Sequence, residues 1–334
     1  MKKLKIGNVE FNSNVILAPM AGITDSVLRS MVRETSRDCL VMSEMVSSEG
    51  LRMNPDRSII FTQPQEYPLS FQISGHKPEL MAEAAKILEN VSTVIDINMG
   101  CPAPKIVRNG DGSSLMKDLK LAEKIISSVK KAVNVPVTVK TRLGWDVPSM
   151  NYLDFANMAQ DAGADAIMIH GRTRSQMYSG TANWNAIAEI KQVLEIPVIA
   201  NGDINSVEAA IECQKITQCD GFGIGRGVLG DVDLISRIEH YFETGEILAP
   251  PDITQRIQVA KIHLQKEMDF RGELHGIQFM RKFFAYYIRG IKGAAQYRFE
   301  LVRLNDKQQI LDTLDRISEE NTAAQKIAAV EIPQ

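Results

Sequence analysis

Eight short runs of β-prone residues, each almost uninterrupted in apolar character, recur between Val15 and Gly225. They are Val15–Ala18, Leu40–Met45, Leu69–Ile73, Val94–Asn98, Pro136–Thr141, Ala166–His170, Pro197–Asn201 and Gly221–Gly225. A strand that shows one face to water alternates; a parallel strand covered on both faces does not, and these runs read as the second kind. Helical periodicity fills the intervals at Thr24–Glu34, Pro78–Glu89, Leu119–Val133, Tyr152–Ala162, Trp184–Leu194 and Ser206–Lys215. Start signals support it: Thr24-Asp25-Ser26, proline after Lys77, and Asn205-Ser206. Eight strands alternating with helices over about 240 residues predict a (β/α)8 TIM barrel. The competing doubly wound sheet places a GxGxxG turn after its first strand. Here that turn reads Ala18-Pro19-Met20-Ala21-Gly22, without the motif.

The alternation stops at Pro250-Pro251, and the pattern is purely helical beyond it. The expected organisation is a barrel over residues 1–245, a helical domain over 252–320 and a frayed tail over 321–334. The composition, 44% apolar and 24% charged in 334 residues, excludes a mainly disordered chain. A net charge of −3 excludes a generally basic nucleic-acid coat, so any such binding needs a local patch. Cys39, Cys101, Cys213 and Cys219 contain no CxxC pair, which points away from a zinc knuckle and toward reduced thiols in a cytoplasmic protein. The histidines are scattered without HExxH spacing, so no metal site is expected. The charged N-terminal stretch lacks the apolar core of a secretory signal, and no apolar run approaches the ~20 residues of a membrane span.

In such a barrel the chemistry sits at the C-terminal ends of the strands. Gln72 ends the third strand, Asn98-Met99-Gly100-Cys101-Pro102 the fourth and Lys140-Thr141-Arg142 the fifth. His170-Gly171-Arg172, Asn201-Gly202-Asp203 and Gly225-Arg226-Gly227 end the remaining three. One polar residue at a strand end is noise, but six at consecutive ends are not packing. Glycine-rich turns after strands seven and eight occupy the usual phosphate positions of this fold. Lys140 and His170 are inward candidates beside them, and a flavin would account for both, because its N1–C2=O edge gains negative charge on reduction. Cys101 is the cysteine placed directly after a strand. A thiol of ordinary pKa ~8.5 can donate a proton or attack, and composition does not choose between these.

Taken in order, these motifs resemble the tRNA-dihydrouridine synthases, most closely their bacterial B-type branch. The resemblance rests on Ala18-Pro19-Met20-Ala21-Gly22-Ile23-Thr24-Asp25 and on Asn98-Met99-Gly100-Cys101-Pro102-Ala103-Pro104-Lys105 with Gly110, Gly112, Leu115 and Met116. It continues through Lys140-Thr141-Arg142-Leu143-Gly144-Trp145, His170-Gly171-Arg172-Thr173-Arg174, Asn201-Gly202-Asp203 and Gly225-Arg226. The Cys-Pro-x-x-Lys element is the most specific of these. The resemblance implies an FMN enzyme that reduces the C5–C6 double bond of uridine in tRNA, with NADPH as reductant. It implies FMN contacts from Pro19, Met20, Ala21, Gln72, Lys140, His170, Asn201, Gly202, Asp203, Gly225 and Arg226. It makes Cys101 the general acid at uracil C5, and places Asn98, Lys105, Arg142 and Arg174 near the uracil or its flanking phosphates. A monomer is expected.

The helical part departs from the branch's Arg-Lys-His…Trp-Tyr pattern: Arg281-Lys282 are present, but Phe283 and Tyr286 stand at the His and Trp positions. From Arg271 to Arg303 seven cations face two carboxylates, with Phe283, Phe284, Tyr286, Tyr287 and Tyr297 interleaved. Basic and aromatic residues together suit looped RNA, and Arg281 and Lys282 are the expected tRNA contacts. The alternatives are a flavin barrel reducing a free pyrimidine, dihydroorotate dehydrogenase-like, which leaves this stretch unexplained, and a non-catalytic tRNA-binding barrel, which leaves Cys101, Lys140 and His170 unexplained.

Overall fold

The structure, a computed structural model, describes residues 3–53 and 61–330, with side chains to residue 322. Two short strands, β1 (Leu4–Ile6) and β2 (Val9–Phe11), pair antiparallel as a hairpin. Eight parallel strands then follow: β3 (Val15–Leu17), β4 (Leu40–Ser47), β5 (Leu69–Ser74), β6 (Val94–Met99), β7 (Val137–Arg142), β8 (Ala166–His170), β9 (Val198–Asn201) and β10 (Gly221–Ile224). Each pairs with the next in sequence and β10 closes on β3, so the expected TIM barrel is what forms. Every predicted run lies on one of these strands.

Helices cover the outer faces: α1 (Ser26–Thr35), α2 (Ser48–Met53), α3 (Pro78–Leu88), α4 (Pro104–Arg108), α5 (Leu119–Ala132), α6 (Tyr152–Asp161), α7 (Trp184–Val193), α8 (Val207–Thr217) and α9 (Leu234–Thr244). Their starts follow capping chemistry. The side chains of Asp25, Asp118, Asn183 and Ser206 accept from backbone N–H groups in the first turns of α1, α5, α7 and α8. Pro78 opens α3, where its missing N–H costs nothing.

Strand residues alternate between the helical layer and the barrel interior. Leu4, Ile6 and Phe11 of the hairpin join Ile16, Leu40, Val94 and Ala166 in one buried cluster. The last four stand at or near the starts of their strands, so the hairpin stoppers the N-terminal end of the barrel. Higher up the same inward positions turn polar. Register sets Gln72 beside Asp96 and Asp96 beside Thr138; one pleat higher it sets Asn98 beside Lys140, and then His170 beside Asn201. The apolar plug thus occupies one end and the polar residues the other.

The chain divides into two compact units, Met1–Gly225 with Ile235–Ile247 and Arg226–Leu234 with Leu248–Gln334. The second is built from α10 (Ile253–Arg271), α11 (Glu273–Tyr287), α12 (Ala294–Leu301) and α13 (Lys307–Val330). Asp252 and Gln255 form a capping box at the start of α10. A Cβ on Gly276 would fall 2.6 Å from the Met268 backbone, so glycine lets α10 and α11 approach closely. Phe283, Phe284 and Tyr287 are fully buried in this unit, with the Tyr287 hydroxyl 2.9 Å from His263 Nδ1. These aromatics are core. The stretch read as a frayed tail is helical through Val330, and residues 331–334 lie outside the described part.

Candidate active site

The polar end of the barrel is organised by side chains bonding to one another. On β5–β7, Asp96 accepts from Thr138 Oγ1 at 2.6 Å and from Gln72 Nε2 at 2.7 Å. Gln72 Oε1 in turn accepts from Asn98 Nδ2 at 2.7 Å. Asn98 Oδ1 then accepts the backbone N–H of Cys101 at 3.0 Å and of Gly100 at 3.3 Å. All four side chains are buried. The last two bonds shape the turn after β6, which leaves Cys101 half-buried, whereas Cys39, Cys213 and Cys219 are buried. The turn is also closed from its far side. Ser113 N–H donates to the Cys101 carbonyl at 3.1 Å. Gly112, at φ +57°, sits where a Cβ would fall 2.8 Å from that oxygen. Lys105 lies exposed on α4, four residues beyond the thiol.

Lys140 keeps part of its surface accessible, yet its ammonium is deep enough that burial pulls its pKa down to about 8. The nearby Arg142 charge adds to the fall, while Asp96 and Cys101 oppose it. Burial pushes Asp96 up to about 7 against the bonds from Thr138 and Gln72 and the charge of Lys140. Lys140 Nζ donates to Asn201 Oδ1 at 3.1 Å, and Asn201 Nδ2 donates to the Gly223 carbonyl at 2.6 Å. Next to this pair, Gly202 adopts φ +111°, and a Cβ there would fall 2.7 Å from His170 Cδ2. Glycine alone suits both this backbone angle and this close approach to His170.

Arg172, which the sequence shows only as one letter of the His-Gly-Arg motif, is the organiser on the β8 side. Its buried guanidinium pairs with Asp203 Oδ2 at 2.8 Å and donates to the Ser179 and Gly180 carbonyls at 3.0 and 2.6 Å. One of its nitrogens lies 3.4 Å from His170 Nε2. Asp203, at φ +60°, also accepts from Ala182 N–H at 2.7 Å. The Asp203 carboxylate therefore fastens the loop after β8. Arg142, placed near the substrate by resemblance, is buried and donates to the Gly100, Thr173 and Met177 carbonyls at 2.9, 3.0 and 2.8 Å. It ties the Cys101 turn to the loop after β8. Arg174 stacks over Trp145 at 4.5 Å, as does Lys117 at 4.2 Å.

The first turn also joins this end. Pro19 and Met20 are partly accessible and Ala21 is exposed, with Met20 N–H donating to Thr24 Oγ1 at 3.0 Å and Gly22 N–H donating to Glu44. A Cβ on Gly225 would meet Met20 Sδ at 3.7 Å, which places the two turns side by side. Arg226 is exposed and opens the turn that follows. Arg281 and Lys282 belong to α11 of the helical unit. Arg281 bonds Asn305 Oδ1 at 2.6 Å, and Lys282 is exposed with its ammonium 3.3 Å over the Phe279 ring. Among the described residues no three His, Cys, Asp or Glu side chains converge on a metal-sized site, and no helix is long and apolar enough to cross a membrane.

Known proteins resemble this chain in sequence and in fold. Residues 16–325 match the family model for dihydrouridine synthase (Dus). A probable tRNA-dihydrouridine synthase 1 of Synechocystis sp. is 44% identical over 94% of this chain and 89% of its own length. The tRNA-dihydrouridine synthase B of Pseudomonas putida is 39% identical over 92% of each. Among solved structures, histamine dehydrogenase from Rhizobium sp. 4-9 superposes with TM-score 0.54 at 12% identity, over 74% of this chain and 48% of that one. A 2-naphthoyl-CoA reductase complex gives 0.55 at 13%, over 72% and 52%. At such identity these two speak for the barrel alone. The sequence relatives speak for more, and they bear out the resemblance read from the motifs: the chain belongs to the dihydrouridine synthase family.

Proposed function

We propose that this chain is an FMN-dependent tRNA-dihydrouridine synthase that reduces the C5–C6 double bond of uridine in tRNA, with NADPH as the source of electrons. The observation that carries the reading is the half-buried Cys101 thiol, held on a bonded turn close enough to Lys140 to act on that ammonium. The donor set fits a flavin. It offers one ammonium, Lys140, and one imidazole, His170, at the same end of the barrel. Gly202, where a Cβ would fall 2.7 Å from His170 Cδ2, lets the turn after β9 pack directly against that imidazole. Pro19, Met20, Ala21, Gln72, Asn201, Gly202, Asp203, Gly225 and Arg226 would complete the proposed cofactor set, Arg226 offering its charge to a phosphate.

A bound flavin supplies the hydride that reaches uracil C6. Cys101 Sγ–H would deliver the proton to C5 of the base. Lys140 would offer its positive charge to the edge of a flavin that gains negative charge on reduction. Asn98 and Arg142 keep the thiol in place through the backbone of its turn. Lys105 and Arg174 flank the entry of a uridine that has left its stack. Exposed Lys282, Arg289, Lys292, Arg298 and Arg303 on the helical unit supply phosphate contacts.

The test is to map dihydrouridine in tRNA from cells lacking this chain and to restore it with the purified yellow protein, NADPH and that tRNA. Restoration of dihydrouridine at the lost positions is the expected result. Turnover of free uracil or orotate, with tRNA untouched, would instead favour the free-pyrimidine reading.

A further inference from the structure

The chain of bonds under Cys101 begins at Asp96, a residue that does not itself touch the thiol or its turn. We propose that Asp96 is a positioning residue: as an ionised, acceptor-only group it sets the orientation of two buried amides in series and so builds the turn that carries Cys101. This rests on the reading of Cys101 as the proton donor.

Each bond in the chain fixes the direction of the next. A carboxylate accepts and does not donate, so Asp96 can be satisfied only by Thr138 O–H on one oxygen and by the Gln72 NH2 group on the other. That orientation leaves Gln72 Oε1 facing Asn98, which must answer with its own NH2 group. Asn98 Oδ1 is then the atom that meets the N–H groups of Gly100 and Cys101. Were the Gln72 amide reversed, Asn98 would reverse with it and present NH2 to two backbone donors in a buried site. Neither donor would then be satisfied. An amide has no intrinsic preference between these states, so the choice comes from the ends of the chain, which cannot reverse: the backbone N–H groups of Gly100 and Cys101 at one end and the Asp96 carboxylate at the other. Asp96 lies on the inward face of β6 two residues before Asn98, and register alone brings it level with Gln72 and Thr138. Burial raises its pKa to about 7 against the two donors and Lys140, so the acceptor-only form prevails above that pH.

The test uses Asp96→Asn, Asn98→Ala and the double variant, with two readouts. The first is hydrogen exchange at the Cys101 amide in flavin-free protein, resolved by NMR or fragment mass spectrometry. Each single substitution should accelerate it about tenfold, as loss of one ordinary hydrogen bond does, and the double variant should go no further. The second is reoxidation of the reduced, flavin-loaded protein by tRNA. Each single variant should slow it at least about tenfold, a similar loss of bond energy, and the double variant no more than the slower single. Gln72→Leu cuts the same chain without touching a charge and should reproduce the exchange effect if Asp96→Asn fails to fold. Unchanged Cys101 exchange in Asp96→Asn or Gln72→Leu would overturn the proposal, as would effects that add in the double variant. A wild-type protein inert toward tRNA would sink the functional reading but leave the exchange test standing.

Discussion

The barrel mouth and the basic stretch of the helical unit both concentrate polar residues, and they treat them in opposite ways. At the mouth, Asp96, Gln72, Asn98, Arg142 and Arg172 are buried and each is held by at least two partners. In the helical unit two cations sit in solvent on aromatic faces: Lys282 over Phe279 at 3.3 Å, and Arg303 over Phe299 at 3.1 Å, with Phe299 itself 61% exposed. The contrast follows from what each task needs. Moving a proton and a hydride to adjacent carbons demands atoms fixed before the substrate arrives. Attracting a polyanion demands accessible charge, and rigidity adds little to it.

The two regions should therefore answer substitution differently, and Cys101 should answer most strongly. Cys101→Ala should lower tRNA-dependent turnover about 10²–10⁴-fold, the usual loss on removing a general acid. Flavin content and the rate of bleaching by NADPH should be unchanged. A variant of full activity would remove the thiol from the mechanism.

Two glycines probe the same difference at the backbone. Gly202 and Gly290 both have positive φ, at +111° and +81°, but of the two Gly202 alone has a neighbour in the way. Gly202→Ala should cost about 1–3 kcal/mol of stability, from backbone strain and from displacement of His170, and the protein should lose flavin on gel filtration. Gly290→Ala, with open space around it, should cost about 1 kcal/mol and keep its flavin. Thermal melts of the two variants, with absorbance at flavin wavelengths, decide it.

A weaker response is expected to pH. Lys140 is charged below about pH 8 and neutral above it. The affinity of flavin-free protein for FMN should therefore fall as pH rises through about 8. In Lys140→Arg the guanidinium stays protonated, and that alkaline limb should move to higher pH. A limb at the same pH in both proteins would assign it to another group.

The helical surface should respond least. Lys282→Ala with Arg303→Ala should weaken tRNA binding severalfold. The slope of log affinity against log salt should also become shallower, by roughly one unit for each phosphate left without its cation. Flavin content and NADPH oxidation should stay as they are. Arg281→Ala should act differently, through stability, because its guanidinium holds Asn305. Calorimetric melts beside filter-binding curves would tell the two kinds of cation apart.

Barrel and helical unit also differ in how far the sequence discloses them. The barrel strands are readable because burial on both faces makes them continuous, with polar residues confined to their upper ends. The Leu4–Phe11 hairpin is not, since strands of three residues carry too little pattern. Asp96 is hidden because Val94–Asn98 reads as an apolar run with one interruption; counting by twos from Asn98 puts both on the inner face. The Arg172–Asp203 pair joins distant segments, and the acceptors of Arg142 are backbone carbonyls, which a sequence does not display. In the helical unit the charges are plain, but Phe283, Phe284 and Tyr287 are core, where aromatic residues at helical spacing usually belong.

Everything proposed for the mouth turns on its reducing a uridine within tRNA through Cys101 and a flavin. The decisive experiment mixes the NADPH-reduced, flavin-loaded protein anaerobically with tRNA lacking dihydrouridine and follows flavin absorbance and dihydrouridine together. One dihydrouridine should form per flavin reoxidised, and reoxidation should slow at least about a hundredfold in Cys101→Ala. Reoxidation without dihydrouridine, or at the same rate with a free pyrimidine in place of tRNA, would show that the mouth serves a different substrate.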